Sequence, residues 1–281
     1  MIDLMKTLIK RMKIKKNHNS KLNIMNRLQQ LFQKKKNNIL SVYFTAGYPK
    51  LNDTAEIIKT LVEEGIDLIE IGIPFSDPMA DGPVIQRSSQ LALENGISQK
   101  LLFEQLRDIR QVTDIPLVLM GYINPAMQFG FENLCRTASE IGIDGLIIPD
   151  IPIEEYERDY RSIVEKYGLS FVPLITPETP EERVRHIDSI ASGFIYMVSS
   201  ASTTGVQNSF AGSKEDYFRR IQAMKLKNPT LIGFGISNKE TFDSACKYAQ
   251  GAIIGSAFIN ALNENPSISE AVRSLKRRIM E

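Results

Sequence analysis

The chain has 281 residues and a mass of 31.7 kDa, with 43% apolar and 24% charged residues and a formal net charge of +1. These proportions exclude a disordered, collagenous or coiled-coil chain, and no apolar run reaches the roughly 20 residues that a membrane helix needs. Two cysteines and two histidines (His18 and His186) leave too few parts for a disulfide framework, a histidine-based metal centre or a Ser-His-Asp triad.

In chain order, the first feature is a charge asymmetry. Residues 1–36 hold eleven Lys or Arg against Asp3 alone, so a tail near +10 hides a body near −9. Runs such as Lys15-Lys16-Asn17 and Lys34-Lys35-Lys36 lack interleaved aromatics, so they read as solvated rather than as a surface for nucleic acid or membrane. Residues 1–24 are expected to be a poorly ordered basic extension, and residues 25–281 one catalytic domain beginning at the periodic stretch after Met25. With neither a signal peptide nor a membrane span in view, the expected compartment is the cytoplasm, or the plastid stroma if the source bears plastids.

From residue 39 onward, eight short β-branched runs recur, at 39–44, 68–71, 117–120, 146–148, 171–174, 194–198, 231–234 and 252–254. Stretches with apolar residues at three- and four-residue spacing separate them, predicting helices near 52–64, 89–111, 131–141, 154–167, 180–191, 214–226 and 238–249, with a last one near 267–280. Gly65, Gly142, Gly168 and Gly251 follow helical stretches, where left-handed caps are expected. Strands apolar on both faces imply a parallel sheet covered by helices. Eight such repeats predict a single (β/α)8 TIM barrel, with an open doubly wound sheet as the alternative. The connections at 73–88 and 199–213 are longer than ordinary βα loops and are expected to be lids on the C-terminal face of the barrel.

Three groups of residues on that face could carry chemistry. Glu70 is a carboxylate inside an apolar strand, where burial raises the pKa toward that of a general acid–base group. Asp77 and Asp81 follow in a proline-stiffened loop, from which a second acid can join Glu70. Gly233-Phe234-Gly235-Ile236-Ser237 and Gly255-Ser256 lie at the tips of the last two strands, where helix-opening amides can bind phosphate. Thr204-Gly205 can add donors from the side. Tyr43, Tyr122, Tyr196 and Phe234 sit at strand ends and can wall a flat apolar ligand.

The stretch Ile69-Glu70-Ile71-Gly72-Ile73-Pro74-Phe75-Ser76-Asp77-Pro78-Met79-Ala80-Asp81-Gly82-Pro83 closely resembles the signature of the tryptophan synthase α subunit family. The resemblance continues through Phe44-Thr45-Ala46-Gly47, Met120-Gly121-Tyr122-Ile123-Asn124-Pro125, Pro149-Asp150-Ile151-Pro152 and the glycine tips, covering about residues 25–281. It implies cleavage of indole-3-glycerol phosphate to indole and glyceraldehyde 3-phosphate, with indole passed to a β subunit that carries pyridoxal phosphate in an α2β2 heterotetramer. No cofactor is expected in this chain. By the match, Glu70 is the acid–base residue and Asp81 holds the indole N–H. Tyr43, Tyr122, Tyr196 and Phe234 line the indole pocket, while Gly205, Gly235, Gly255 and Ser256 bind phosphate. Ser202-Thr203 departs from the family's Gly-Val, whereas Thr204, which meets the loop-two aspartate on closure in the family, is kept. Another sugar-phosphate barrel and a non-catalytic barrel partner are the rival readings.

Overall fold

The computed structural model describes residues 25–199, 211–233 and 235–281. Among these residues one parallel sheet contains nine strands: β1 Ile39–Thr45, β2 Leu68–Gly72, β3 Leu117–Met120, β4 Gly145–Ile147, β5 Ser170–Phe171, β6 Leu174–Ile175, β7 Ile195–Val198, β8 Thr230–Gly233 and β9 Gly251–Ile254. Their hydrogen-bonded order is β5-β4-β3-β2-β1-β9-β8-β7-β6, so the two outermost strands are neighbours in sequence. Only Val172 and Pro173 separate them. The Val172 amide donates to the Leu146 carbonyl at 3.0 Å, and the Pro173 carbonyl accepts from the Tyr196 amide at 2.9 Å. β5 and β6 are therefore halves of the predicted fifth strand, and the sheet closes as a TIM barrel. The interruption corrects the expected count of eight unbroken strands. Pro173 has no N–H to give to a ladder, and proline within a strand marks such a break.

The helices are α1 Arg27–Lys34, α2 Thr54–Glu63, α3 Pro83–Glu94, α4 Gln99–Gln105, α5 Ile123–Phe129, α6 Phe131–Glu140, α7 Ile153–Glu155, α8 Arg161–Lys166, α9 Glu181–Ile190, α10 Ala211–Ala223, α11 Lys239–Cys246, α12 Ser256–Glu264 and α13 Ile268–Met280. A π turn, Tyr156–Tyr160, joins α7 to α8. Every residue of β1, β2, β3, β4, β7, β8 and β9 is buried, as expected for staves packed on both faces.

Three further expectations are corrected. The predicted helix over 89–111 is α3, α4 and a 3-10 turn at Ile109–Gln111, with Gly96 at φ +94° between the first two. The predicted loop 73–88 ends early, because extended Gly82 and Pro83 at the first helical position open α3. Gly65, Gly142 and Gly168 do have positive φ, but Gly251 is not a left-handed cap. It begins β9, where a Cβ would lie 2.0 Å from the Ile39 carbonyl oxygen, so close strand approach requires glycine there.

The N-terminal mouth of the barrel is plugged by α1. Asn26 caps that helix in a reciprocal box with Gln29, and its side-chain amide donates to the Asp144 carbonyl at 2.9 Å and the Ser170 hydroxyl at 2.8 Å. Leu28 is fully buried, and Phe32 packs on Phe194 with ring centroids 5.8 Å apart. With its floor closed, the barrel leaves its C-terminal mouth for chemistry.

Candidate active site

Glu70 lies on β2 opposite Tyr43 of β1, so both side chains share the barrel interior. The carboxyl is fully buried. Ser41 donates its hydroxyl to Oε1 at 2.8 Å, while Oε2 has no hydrogen-bond partner among the described residues. Burial pushes the Glu70 pKa up to about 8, with the Ser41 hydrogen bond pulling the other way. At neutral pH the group is therefore mainly a protonated acid.

Asp81 lies at the end of the loop after β2 and is 7% exposed. Its amide donates to the Pro78 carbonyl at 3.0 Å, and its own carbonyl accepts from the Gln86 side chain at 2.9 Å, which ties the loop to the first turn of α3. The Tyr122 hydroxyl donates to Oδ2 at 2.9 Å. Burial raises the Asp81 pKa to about 6, against the lowering effect of Tyr122. This second acid is mostly a carboxylate at pH 7. Asp77, by contrast, is exposed and accepts from neighbouring Ser76 at 2.5 Å, as an ordinary turn residue does.

Tyr43 and Tyr196 have phenols held above their usual pKa range, first by burial and then by the negative charge of Asp81 and Glu70. Both rings occupy space left by glycines. A Cβ on Gly72 would lie 2.1 Å from the Tyr43 hydroxyl, and one on Gly233 would lie 2.1 Å from the Tyr196 hydroxyl. Tyr122 packs on Phe75 with centroids 5.4 Å apart.

These groups surround a cavity of about 270 Å³ at the C-terminal mouth. Tyr43, Asp81, Ile85, Met120 and Tyr196 supply its wall from β1, β3, β7 and the segment after β2. Gly235, Ser237, Gly255, Ser256 and Ala257 supply the part after β8 and β9, and Asn260 and Arg278 reach it from α12 and α13. Gly235 has φ +78°, a conformation that favours glycine. Ser256 and Ala257 open α12, where amides have no preceding helical carbonyl to bond. Ser237 does not cap α11, because Asn238 does.

The sequence expectation therefore meets the structure unevenly. Tyr43, Asp81, Tyr196, Gly235, Gly255 and Ser256 converge on one cavity, with Tyr122 held behind Asp81. Glu70, fully buried in register with Tyr43, is not on the cavity wall. Thr204, Gly205 and Phe234 lie outside the described residues, as do residues 1–24 and residues 200–210 of the second lid expected over 199–213. Ser41, Asn260 and Arg278 were not singled out from the sequence. Ser41 alone had a usable signal, being a polar residue in an apolar strand.

A TIM barrel with two buried acids, phenolic walls and free helix-opening amides at its C-terminal mouth defines a barrel enzyme equipped for proton transfer on a substrate with an anionic end. A family model described as tryptophan synthase alpha chain matches residues 28–280. A tryptophan synthase alpha chain from Bacteroides thetaiotaomicron is 58% identical over 252 residues, covering 90% of this chain and 98% of the relative. One from Flavobacterium johnsoniae is 60% identical over 243 residues, covering 86% and 96%. Among solved structures, the tryptophan synthase alpha subunit of Legionella pneumophila superposes with a TM-score of 0.78 at 33% identity, covering 90% of this chain and 99% of the other. The A-subunit from Pyrococcus furiosus gives 0.76 at 34%, covering 86% and 96%.

The chain belongs to the tryptophan synthase alpha chain family. It cleaves indole-3-glycerol phosphate to indole and glyceraldehyde 3-phosphate in tryptophan biosynthesis, and it has a β-subunit partnership. Among the described residues no helix is long and apolar enough to cross a membrane. The relatives at 58% and 60% identity are bacterial, which leaves the plastid alternative without support.

Proposed function

We propose that Glu70 is the general acid–base residue of this cleavage and that Asp81 holds the indole N–H. The observation that carries the assignment is the pair of buried acids in different surroundings, Glu70 bonded by Ser41 with Oε2 unpartnered and raised to about 8, and Asp81 bonded by Tyr122 and raised to about 6. At pH 7 one can give a proton while the other remains an anion. Glu70 gives its proton to the indole carbon that bears the glycerol phosphate chain. The ring becomes an indoleninium cation, whose N–H and positive charge Asp81 stabilises. The Glu70 carboxylate then takes the proton of the side-chain hydroxyl as the carbon–carbon bond breaks toward the ring. Indole and the aldehyde are released with Glu70 protonated again, so protons balance over the cycle.

Tyr43, Tyr122, Tyr196 and Phe234 wall the indole, and the amides at Gly205, Gly235, Gly255 and Ser256 bind the phosphate. Arg278 adds positive charge at that end of the cavity. Thr204 makes the closure contact with the loop after β2. The partner is a β subunit in an α2β2 assembly in the cytoplasm, and it carries the pyridoxal phosphate. The described cavity wall offers no lysine for the Schiff-base linkage that cofactor uses. Residues 25–281 form the catalytic domain, and residues 1–24 are a basic extension outside it.

The test is indole release by Glu70→Gln and Asp81→Asn in the presence of the β subunit. Loss of at least about 100-fold in kcat for Glu70→Gln is expected from removal of an acid–base group. Near-wild-type turnover in either variant would refute the corresponding role.

A further inference from the structure

Ser41 is buried on β1, two residues before Tyr43 and on the same face of the strand. Its hydroxyl reaches across to the neighbouring strand and donates to Oε1 of Glu70 at 2.8 Å. Oε2 is left as the buried oxygen of the pair without a partner. A neutral carboxylic acid has one O–H and one carbonyl-like oxygen. With Oε1 already accepting from Ser41, the proton belongs on Oε2.

We infer that Ser41 is a positioning residue for the reaction: it fixes Oε1 of Glu70 as the accepting oxygen and thereby selects Oε2 as the oxygen that carries the proton to and from substrate. The inference rests on the assignment of Glu70 as the acid–base group. Ser41 is not on the cavity wall, so its action passes through Glu70.

The surroundings isolate this hydrogen bond as an adjustable influence on Glu70. The titratable groups around the carboxyl are Tyr43 from β1, Tyr196 from β7 and Asp81 from the loop after β2, with Tyr122 bonded to Asp81. The phenols remain neutral, being raised above their ordinary range. Against the effect of burial, Ser41 supplies the lowering influence on Glu70. A donor that favours the carboxylate makes the acid easier to ionise, which suits a group that must give a proton and then take one back.

The experiment follows the Glu70 carboxyl directly, in the full chain without substrate, by its infrared C=O band, assigned through its disappearance in Glu70→Gln. Ser41→Ala removes the donor and leaves a small buried side chain, whereas Ser41→Thr keeps a hydroxyl. In Ser41→Ala the midpoint of the band should move up by roughly one pH unit, the size of a lost hydrogen bond to a charged group. In the complex with the β subunit, kcat should fall several-fold with KM little changed, and Ser41→Thr should restore both midpoint and kcat. An unchanged midpoint in Ser41→Ala, or a kcat loss that Ser41→Thr fails to recover while its midpoint is restored, would overturn the inference. Undiminished indole release by Glu70→Gln would instead remove the assignment on which it rests, whatever the band does.

Discussion

The Tyr122 hydroxyl donates to Oδ2 of Asp81 at 2.9 Å while accepting the Ala80 amide at 3.1 Å, so a single phenol from the end of β3 holds the acid and the backbone beside it. Tyr122→Phe removes both bonds but keeps the ring against Phe75. Because Tyr122 lowers the Asp81 pKa, its loss should move the acidic limb of the pH–rate profile upward from about 6. Misplacing the anion should cost roughly 10- to 100-fold in kcat/KM. A profile with the limb unmoved would separate Tyr122 from Asp81 ionisation.

Glu70 also gives stability a definite pH dependence. Its folded pKa of about 8 lies above the ordinary value of 4.5, so the folded protein holds this proton more tightly than the unfolded chain. Its favourable effect on stability is fully present below about 4.5, and it is progressively lost as pH rises to about 8. Glu70→Gln should therefore gain stability relative to the parent between pH 5 and 8, levelling off above that interval. Urea titrations across this range test the trend, and an increment independent of pH would contradict it.

Gly72 and Gly233 make room for the tyrosines over the cavity. Gly72→Ala places a methyl group where the Tyr43 hydroxyl lies, and the ring must leave its position. Overpacking of this kind costs about 1–3 kcal/mol. The displaced ring should also fall into the substrate space and lower kcat/KM by more than about ten-fold. Combining the change with Tyr43→Ala should recover stability, whereas an additive loss would show that the clash lies elsewhere.

At the opposite end of the barrel, Asp144 has a side chain only 2% exposed and bridges Arg110 at 2.6 Å and Arg27 at 3.3 Å. It also accepts the Leu117 amide at 3.0 Å. Arg110→Ala removes the more buried partner, and breaking a buried pair in this way costs about 3–5 kcal/mol. Arg27→Ala should cost less, because its side chain is 36% exposed. Equal losses in chemical denaturation would refute that ranking.

Much of the barrel was legible because strands buried on both faces become unbroken apolar runs, and helices between them keep a three- and four-residue rhythm. Pro173 was visible too, but the run around it is apolar throughout, so periodicity alone passed over the break. The opening of α3 was missed because Pro83 read as part of a stiff loop, although the buried Ile85, Ser88, Ser89 and Ala92 carry helical spacing. At the site, Glu70 stood out as a charge in an apolar strand, and Asp81 needed the family's motif to distinguish it from Asp77. Ser41 was visible as a polar residue in an apolar strand, but its partner depends on which staves are adjacent, and Arg278 on where the last helix returns. That information exists only once the sheet has closed.

The break at Val172 and Pro173 gives the ring a clasp. Among the described residues β4–β5, β6–β7 and β8–β9 each pair over two positions, whereas β1 pairs with β2 over five and with β9 over four. In the circular order the clasp lies across from β2, β1, β9 and β8, the half of the ring that carries Glu70 and leads into the segments with Asp81 and the glycine tips. The barrel can breathe at its interrupted seam while Glu70 sits on the longest ladder, β1–β2. Amide exchange at Val172 and Tyr196 should therefore outpace exchange at Val42 and Ile71, with the chemistry housed on the hinge side of a ring that opens at its far edge.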